Sequence, residues 1–228
     1  GQVYDVDGNV VGSEFQANVT TDGDQDNASV TVLADGNFVV AWDSAELDGF
    51  SEGTVGRLFD TDGTPLSGEF QISPSEGDSR DKNPRIAALA DGGFAATFDT
   101  YDAGGGLKNV GMRLFNADGT TRTPVIPVNQ ETANDQWRSA ITSLAGGNFV
   151  VAWESLGQDG DGYGVYARLF NAGGAALGNE FRLNQETFDD QDTVAVAALT
   201  DGGFVAAWSS YGQDGDYWGV FARRFDAA

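Results

Sequence analysis

The chain of 228 residues contains no cysteine and no histidine, five prolines, one methionine, and 12 Lys and Arg against 35 Asp and Glu. Without sulfur or imidazole it forms no disulfide, no thiolate or Ser-His-Asp nucleophile, and no zinc site of the usual nitrogen and sulfur kind. Oxygen ligands for hard cations such as calcium are what remain. The formal charge of −23 repels phosphate backbones and anionic membrane surfaces, which argues against nucleic acid as a partner. No apolar run approaches the ~18 residues of a membrane span, and residue 1 opens no signal peptide, so no membrane insertion is expected and the chain reads as an excised or mature domain.

What is abundant is glycine, 32 residues placed at turns between alternating apolar segments, and those segments repeat. "VTVLADGNFVVAWDS" (30–44) returns as "IAALADGGFAATFDT" (86–100), "ITSLAGGNFVVAWES" (141–155) and "VAVAALTDGGFVAAWSS" (194–210), with a period of 56, 55 and 55. Trp42, Phe98, Trp153 and Trp208 are equivalent, as are Arg57, Arg113, Arg168 and Arg223. Each unit reads as four short strands with apolar groups on both faces, so its sheet needs neighbours above and below. Four-stranded units repeating in this way predict a β-propeller. The fold expected is all-β: one domain over 1–228, a four-bladed propeller of four-stranded antiparallel blades, with repeats over 19–73, 74–129, 130–184 and 185–228 plus 1–18. Residues 2–18 match only the second half of a unit and the last unit stops after its third strand, so the N-terminal strand around Phe15 is expected to complete the last blade. A β-solenoid or an open array is the competing architecture.

Three acidic loop sets recur. In "GQDGDGYG" and "GQDGDYWG", Asp159, Asp161, Asp214 and Asp216 lie on glycine-flexed backbone, and the first unit has Asp48 and Glu52 at the corresponding loop. Calcium accepts six to eight oxygens, so these six residues are the candidate metal ligands; a solvated turn is the plain alternative, and no EF-hand pattern is present. The "DTDGT" hairpins read as turns. The linkers joining successive units carry Gln136 and Gln191, which either bond their own loops or face a ligand. Tyr163, Tyr211, Tyr217 and Trp218 are the aromatic side chains expected to be exposed, suited to the apolar face of a sugar. The four repeated arginines, each within an aromatic strand, are expected to pair with Asp43, Asp99 and Glu154 on the neighbouring strand.

The combination "DGGFVAAW", "GQDGD", "GVFARRFD" resembles the tandem β-repeats of very large secreted RTX-type bacterial exoproteins and adhesins of marine bacteria, over nearly the whole chain. The resemblance implies an extracellular, cell-surface setting and a binding or structural role. The calcium-holding nonapeptide of RTX solenoids is missing, so no ligand set carries over. With no catalytic constellation in view, the sequence points to a monomeric, non-enzymatic binding or adhesion module for carbohydrate or another cell-surface ligand, with calcium as a stabilising cofactor. A structural spacer and a carboxylate-based glycosidase or lyase are the alternatives.

Overall fold

The computed structural model describes residues 1–45, 53–74, 80–101 and 106–227, and all of its regular elements are β-strands. A ribbon of β1 (Val3–Tyr4) and β2 (Val10–Val11) precedes four antiparallel sheets. The first contains β3 (Gln25–Val32), β4 (Phe38–Ser44), β5 (Gly53–Phe59) and β6 (Phe70–Gln71). The second contains β7 (Lys82–Ala88), β8 (Phe94–Tyr101), β9 (Lys108–Phe115) and β10 (Ile126–Pro127). The third contains β11 (Gln136–Ser143), β12 (Phe149–Leu156), β13 (Tyr163–Phe170) and β14 (Phe181–Arg182), and the fourth only β15 (Gln191–Ala198), β16 (Phe204–Tyr211) and β17 (Trp218–Phe225).

Local chemistry sets these hairpins. Gly36 closes the β3–β4 turn at φ 90° and Gly63 the β5–β6 turn at φ 86°, values that suit a residue without Cβ. In "DTDGT" the Asp60 carboxylate accepts the amides of Asp62 at 3.0 Å and Thr64 at 2.8 Å, so its charge serves to turn the chain.

Apolar side chains on both faces make the sheets stack in sequence order. Val39, Ala41 and Leu58 meet Ile86, Phe94 and Phe98; Val110 and Met112 meet Phe149 and Trp153; Val150 and Ala152 meet Val194, Phe204 and Trp208. Each fully buried phenylalanine contributes about 1.5–3 kcal/mol. The stack curves, because the first strand of every sheet borders one common cavity. No comparable packing joins the fourth sheet to the first among the described residues, and Val220 on the free face of β17 is 82% exposed where its counterparts Val110 and Val165 are buried.

The expected closure by the N-terminal strand is therefore corrected. Among the described residues β17 pairs only with β16, while Phe15 bonds back to Gly1 and packs on Phe38 and Phe59, with ring centroids 6.2 and 5.2 Å apart. Phe70 packs the same way on Phe94 and Phe115. Residues 1–18 thus occupy, against the first sheet, the place that each later sheet's outer hairpin holds against its successor. The ring face is the reason: Phe15 is half-buried against the sheet that follows it, and among the described residues no side chain ties it to the last sheet.

The repeated arginines are also reassigned. Nη1 of Arg57, Arg113, Arg168 and Arg223 donates to the carbonyls of Ala17, Ile72, Val128 and Leu183, at 3.0, 3.2, 3.1 and 3.4 Å. Each reaches the outer strand of the preceding unit. Pairing with Asp43 is prevented by register: Arg57 lies opposite Val40, three residues away from Asp43, and an odd spacing along a strand puts the two side chains on opposite faces.

One irregularity recurs in all four inner strands. The ladder shifts between Asp26 and Ser29, Lys82 and Arg85, Trp137 and Ala140, and Asp192 and Ala195, and within each shift one residue takes positive φ: Asn27, Asn83, Arg138 and Thr193, at 52°, 58°, 50° and 55°. Asparagine tolerates this conformation and β-branched threonine does not. Thr193→Asn should therefore stabilise the fold by about 1 kcal/mol, read as a higher urea midpoint at unchanged m-value; an unchanged or lower midpoint would show that Thr193 carries no strain.

Candidate functional site

The bulged residues fix the site because their amides point at carboxylates of the preceding sheet. The Asn83 amide donates to Asp43 Oδ1 at 2.9 Å, the Arg138 amide to Asp99 Oδ1 at 2.9 Å, and the Thr193 amide to Glu154 Oε1 at 2.8 Å. Side chains extend the chain of contacts: Asn27 and Asn83 donate through Nδ2 to Asp43 and Asp99, each at 2.7 Å, and Arg138 Nη1 lies 3.8 Å from Glu154 Oε2. Asp43, Asp99 and Glu154 are all buried. In the fourth sheet the same position is Ser209.

Burial governs the protonation of this arc. Desolvation pushes the carboxyl of Asp43 up to about 6, against the pull of the Asn27 and Asn83 hydrogen bonds. It pushes Asp99 and Glu154 up to about 7. The Thr193 amide and the Arg138 charge oppose the shift of Glu154, while the negative charges of Asp192 and Asp99 add to it. A carboxyl that holds its proton near neutrality is a potential acid catalyst.

Of the three, Glu154 faces the common cavity, a space of about 600 Å³ bordered also by Asn27, Asn83, Arg85, Arg138 and Thr193 from the four inner strands. The Arg138 guanidinium is half exposed and lies 4.0 Å from the centre of the Trp137 ring, whose other close cation is Lys108 Nζ at 3.6 Å. Tyr163 leans on the same indole, ring centroids 6.0 Å apart. The linkers 130–135 and 185–190 and the loops 157–162 and 212–217 lie at this end of the sheets, as the antiparallel register requires.

The residues singled out from sequence are placed as follows. Gln136 and Gln191 are fully buried: Gln136 accepts from Asn129 and donates to Ala133 O, and Gln191 accepts from Asn184 and donates to Phe188 O and Asp189 O. They hold their own linkers. Tyr211, Tyr217 and Trp218 form an edge-on cluster of exposed rings at the end of the fourth sheet, away from the Trp137 and Tyr163 pair. Asp48 and Glu52 lie outside the described residues. Asp159 accepts from Asn184 Nδ2 at 2.8 Å, Asp161 from the Asp189 amide, Asp214 from the Asp216 amide and Asp216 from the Tyr217 amide. Among the described residues no three acidic side chains converge as a metal site. Sequence reasoning noticed Asp43, Asp99 and Glu154 but gave them the wrong partners; Arg85 and Arg138 departed from the repeat without being marked.

No protein-family model matches the sequence, and no curated protein aligns with it significantly. Solved structures do share its fold. An endo-arabinase from Bacteroides thetaiotaomicron superposes with a TM-score of 0.61 at 14% identity, over 96% of this chain and 82% of that one. An α-L-arabinofuranosidase of glycoside hydrolase family 93 from Fusarium graminearum gives 0.60 at 10% identity, over 88% and 62%. A Hadza microbial sialidase gives 0.65 at 10% identity, over 87% and 44%. At such identities the likeness establishes a propeller-type β-fold and no more. The expectation of a non-enzymatic binding or adhesion module is corrected: the structures that share this fold are an endo-arabinase, an arabinofuranosidase and a sialidase, and Glu154, which sequence reading assigned to an arginine partner, borders the common cavity instead.

The buried arc fixes a pH dependence. The unfolded carboxyls titrate near 4, and the folded ones near 6 to 7. Between those values the folded chain binds more protons, so the stability these groups contribute is complete below pH about 4 and is lost as pH rises through about 7. The melting temperature should fall from pH 5 to pH 8, and Asp99→Asn should flatten that fall; an identical slope in the variant would remove Asp99 as its source.

Proposed function

We propose that the chain is a glycoside hydrolase that cleaves its substrate at the mouth of the central cavity, with Glu154 as the proton donor. The observation that carries this reading is a carboxyl on the wall of a cavity lined with hydrogen-bonding side chains from four inner strands, its pKa pushed up to about 7 by burial. The Thr193 amide holds Oε1, which leaves Oε2 to present the proton to a glycosidic oxygen. Protonation makes that oxygen a neutral leaving group as its bond to the anomeric carbon breaks.

The second carboxylate is assigned to Asp192, whose negative charge acts on Glu154 and which is half-buried beside Thr193 on the same inner strand. It either activates water or attacks the anomeric carbon, and the stereochemistry of the product distinguishes the two. The extracellular setting implied by the repeat resemblance suits a polysaccharide substrate. The endo-arabinase and the α-L-arabinofuranosidase that share the fold make arabinan and arabino-oligosaccharides the first compounds to try.

Release of reducing ends from a panel of neutral and acidic polysaccharides tests the proposal. The wild type should turn over at least one of them, Glu154→Gln should lower kcat by roughly 10²- to 10⁴-fold, and the rate should decline above pH about 7 as the donor loses its proton. Full activity in Glu154→Gln, or no turnover across the panel, would sink the reading.

A further inference from the structure

The four inner strands are copies of one another, so a side chain that departs from the copy needs a reason other than the fold. At the position after the bulge the units carry Ser29, Arg85, Ala140 and Ala195, which lie opposite Ala41, Thr97, Ala152 and Ala207. At the bulge itself they carry Asn27, Asn83, Arg138 and Thr193. Three small residues and three short polar ones show that neither place requires a guanidinium to build the sheet. Both exceptions are arginines, they stand on the adjacent strands β7 and β11, and both border the same cavity.

Neither guanidinium is hydrogen-bonded to a carboxylate among the described residues. Arg85 donates through Nη1 to the Pro84 carbonyl at 2.8 Å and has no carboxylate partner among the described residues. Arg138 rests on the Trp137 ring, and its nearest carboxylate oxygen, on Glu154, is 3.8 Å away, beyond a direct hydrogen bond. The cavity is also the one place where both guanidiniums and the polar side chains of Asn83 and Thr193 meet.

From this pairing we infer that the central cavity selects an anionic sugar, one bearing a carboxylate such as a uronic acid residue, with Arg85 and Arg138 as its recognition pair. A planar guanidinium presents two parallel N–H donors to a carboxylate, and two on neighbouring strands fix both the charge and the orientation of the ring that carries it. The remaining formal charge of the protein repels such a ligand at long range, but that repulsion is screened beyond roughly 10 Å at ordinary ionic strength, whereas contacts inside the cavity are not. The inference rests on the hydrolase reading for the location of the sugar, and adds the chemical class of substrate.

Binding, measured apart from turnover, tests it. Calorimetric titration of the full chain in roughly 0.15 M salt with a galacturonate oligosaccharide and with a neutral arabino-oligosaccharide of equal length should show preference for the acidic one. Arg85→Ser and Arg138→Asn substitute residues that other units carry at the same positions, so both should fold, and each should weaken acidic-sugar binding by roughly tenfold to a hundredfold, a larger loss than for the neutral sugar. Arg182→Gln, outside the cavity, controls for lost charge and should retain the preference. Equal binding of both sugars, or acidic binding that both cavity variants keep, would overturn the inference. Turnover of neutral glycans with no acidic binding would leave the hydrolase reading standing without it, and acidic binding without turnover of any glycan would do the reverse.

Discussion

The contact on which the structure turns is a carboxylate at the end of one sheet accepting the amide of a left-handed residue in the next. Such a residue breaks its own ladder and leaves an N–H that must be satisfied away from bulk water. Asp43, Asp99 and Glu154 each satisfy it from the preceding sheet. The cost of burying a charge is lowered by a carboxyl pKa raised toward neutrality and by surrounding donors. The interaction therefore does two things: it sets neighbouring sheets in register, and it places one of these carboxyls, Glu154, at the cavity wall.

A second set of contacts works at the outer rim and in the opposite direction. Arg57, Arg113, Arg168 and Arg223 reach back to carbonyls of the preceding unit's outer strand, and an aromatic or aliphatic side chain from that strand covers the stacked phenylalanine pair of the next. Each interface is thus tied near the axis by an acid reaching forward and near the rim by an arginine reaching back, with the apolar layer between. The N-terminal hairpin follows the same rule against the first sheet. The free face of the fourth sheet carries Ser209 in place of the acid and Arg224 in place of the leucine, substitutions that suit contact with water.

Much of this was legible. The period of the repeat, the glycines at the hairpins and the two-faced apolar pattern of strands such as Phe38–Ser44 lead to stacked four-stranded sheets, because those features are local or repeat within one unit. The turn role of Asp60 was legible for the same reason, since its partners lie two and four residues away. The partners of Arg57 and Asp43 were not: each lies about 40 residues off, in a different unit, and equal spacing in sequence gave a false pairing within the strand. Gln136 and Gln191, by contrast, bond within their own linkers to partners three residues away, one of the two readings that their position in the sequence offered.

What the sequence by itself determined is the unit: its strands, its turns, its number of copies and a chemistry confined to oxygen and guanidinium groups. Those follow from neighbours along the chain and from composition. Only the tertiary structure decided which way the curved stack turns its inner strands, where Phe15 lies, and that Glu154, Arg85 and Arg138, from three strands in two sheets, share one cavity. The reason is physical. Desolvation and approach across sheets depend on how the units stack, and stacking is set by contacts between units that no single repeat contains.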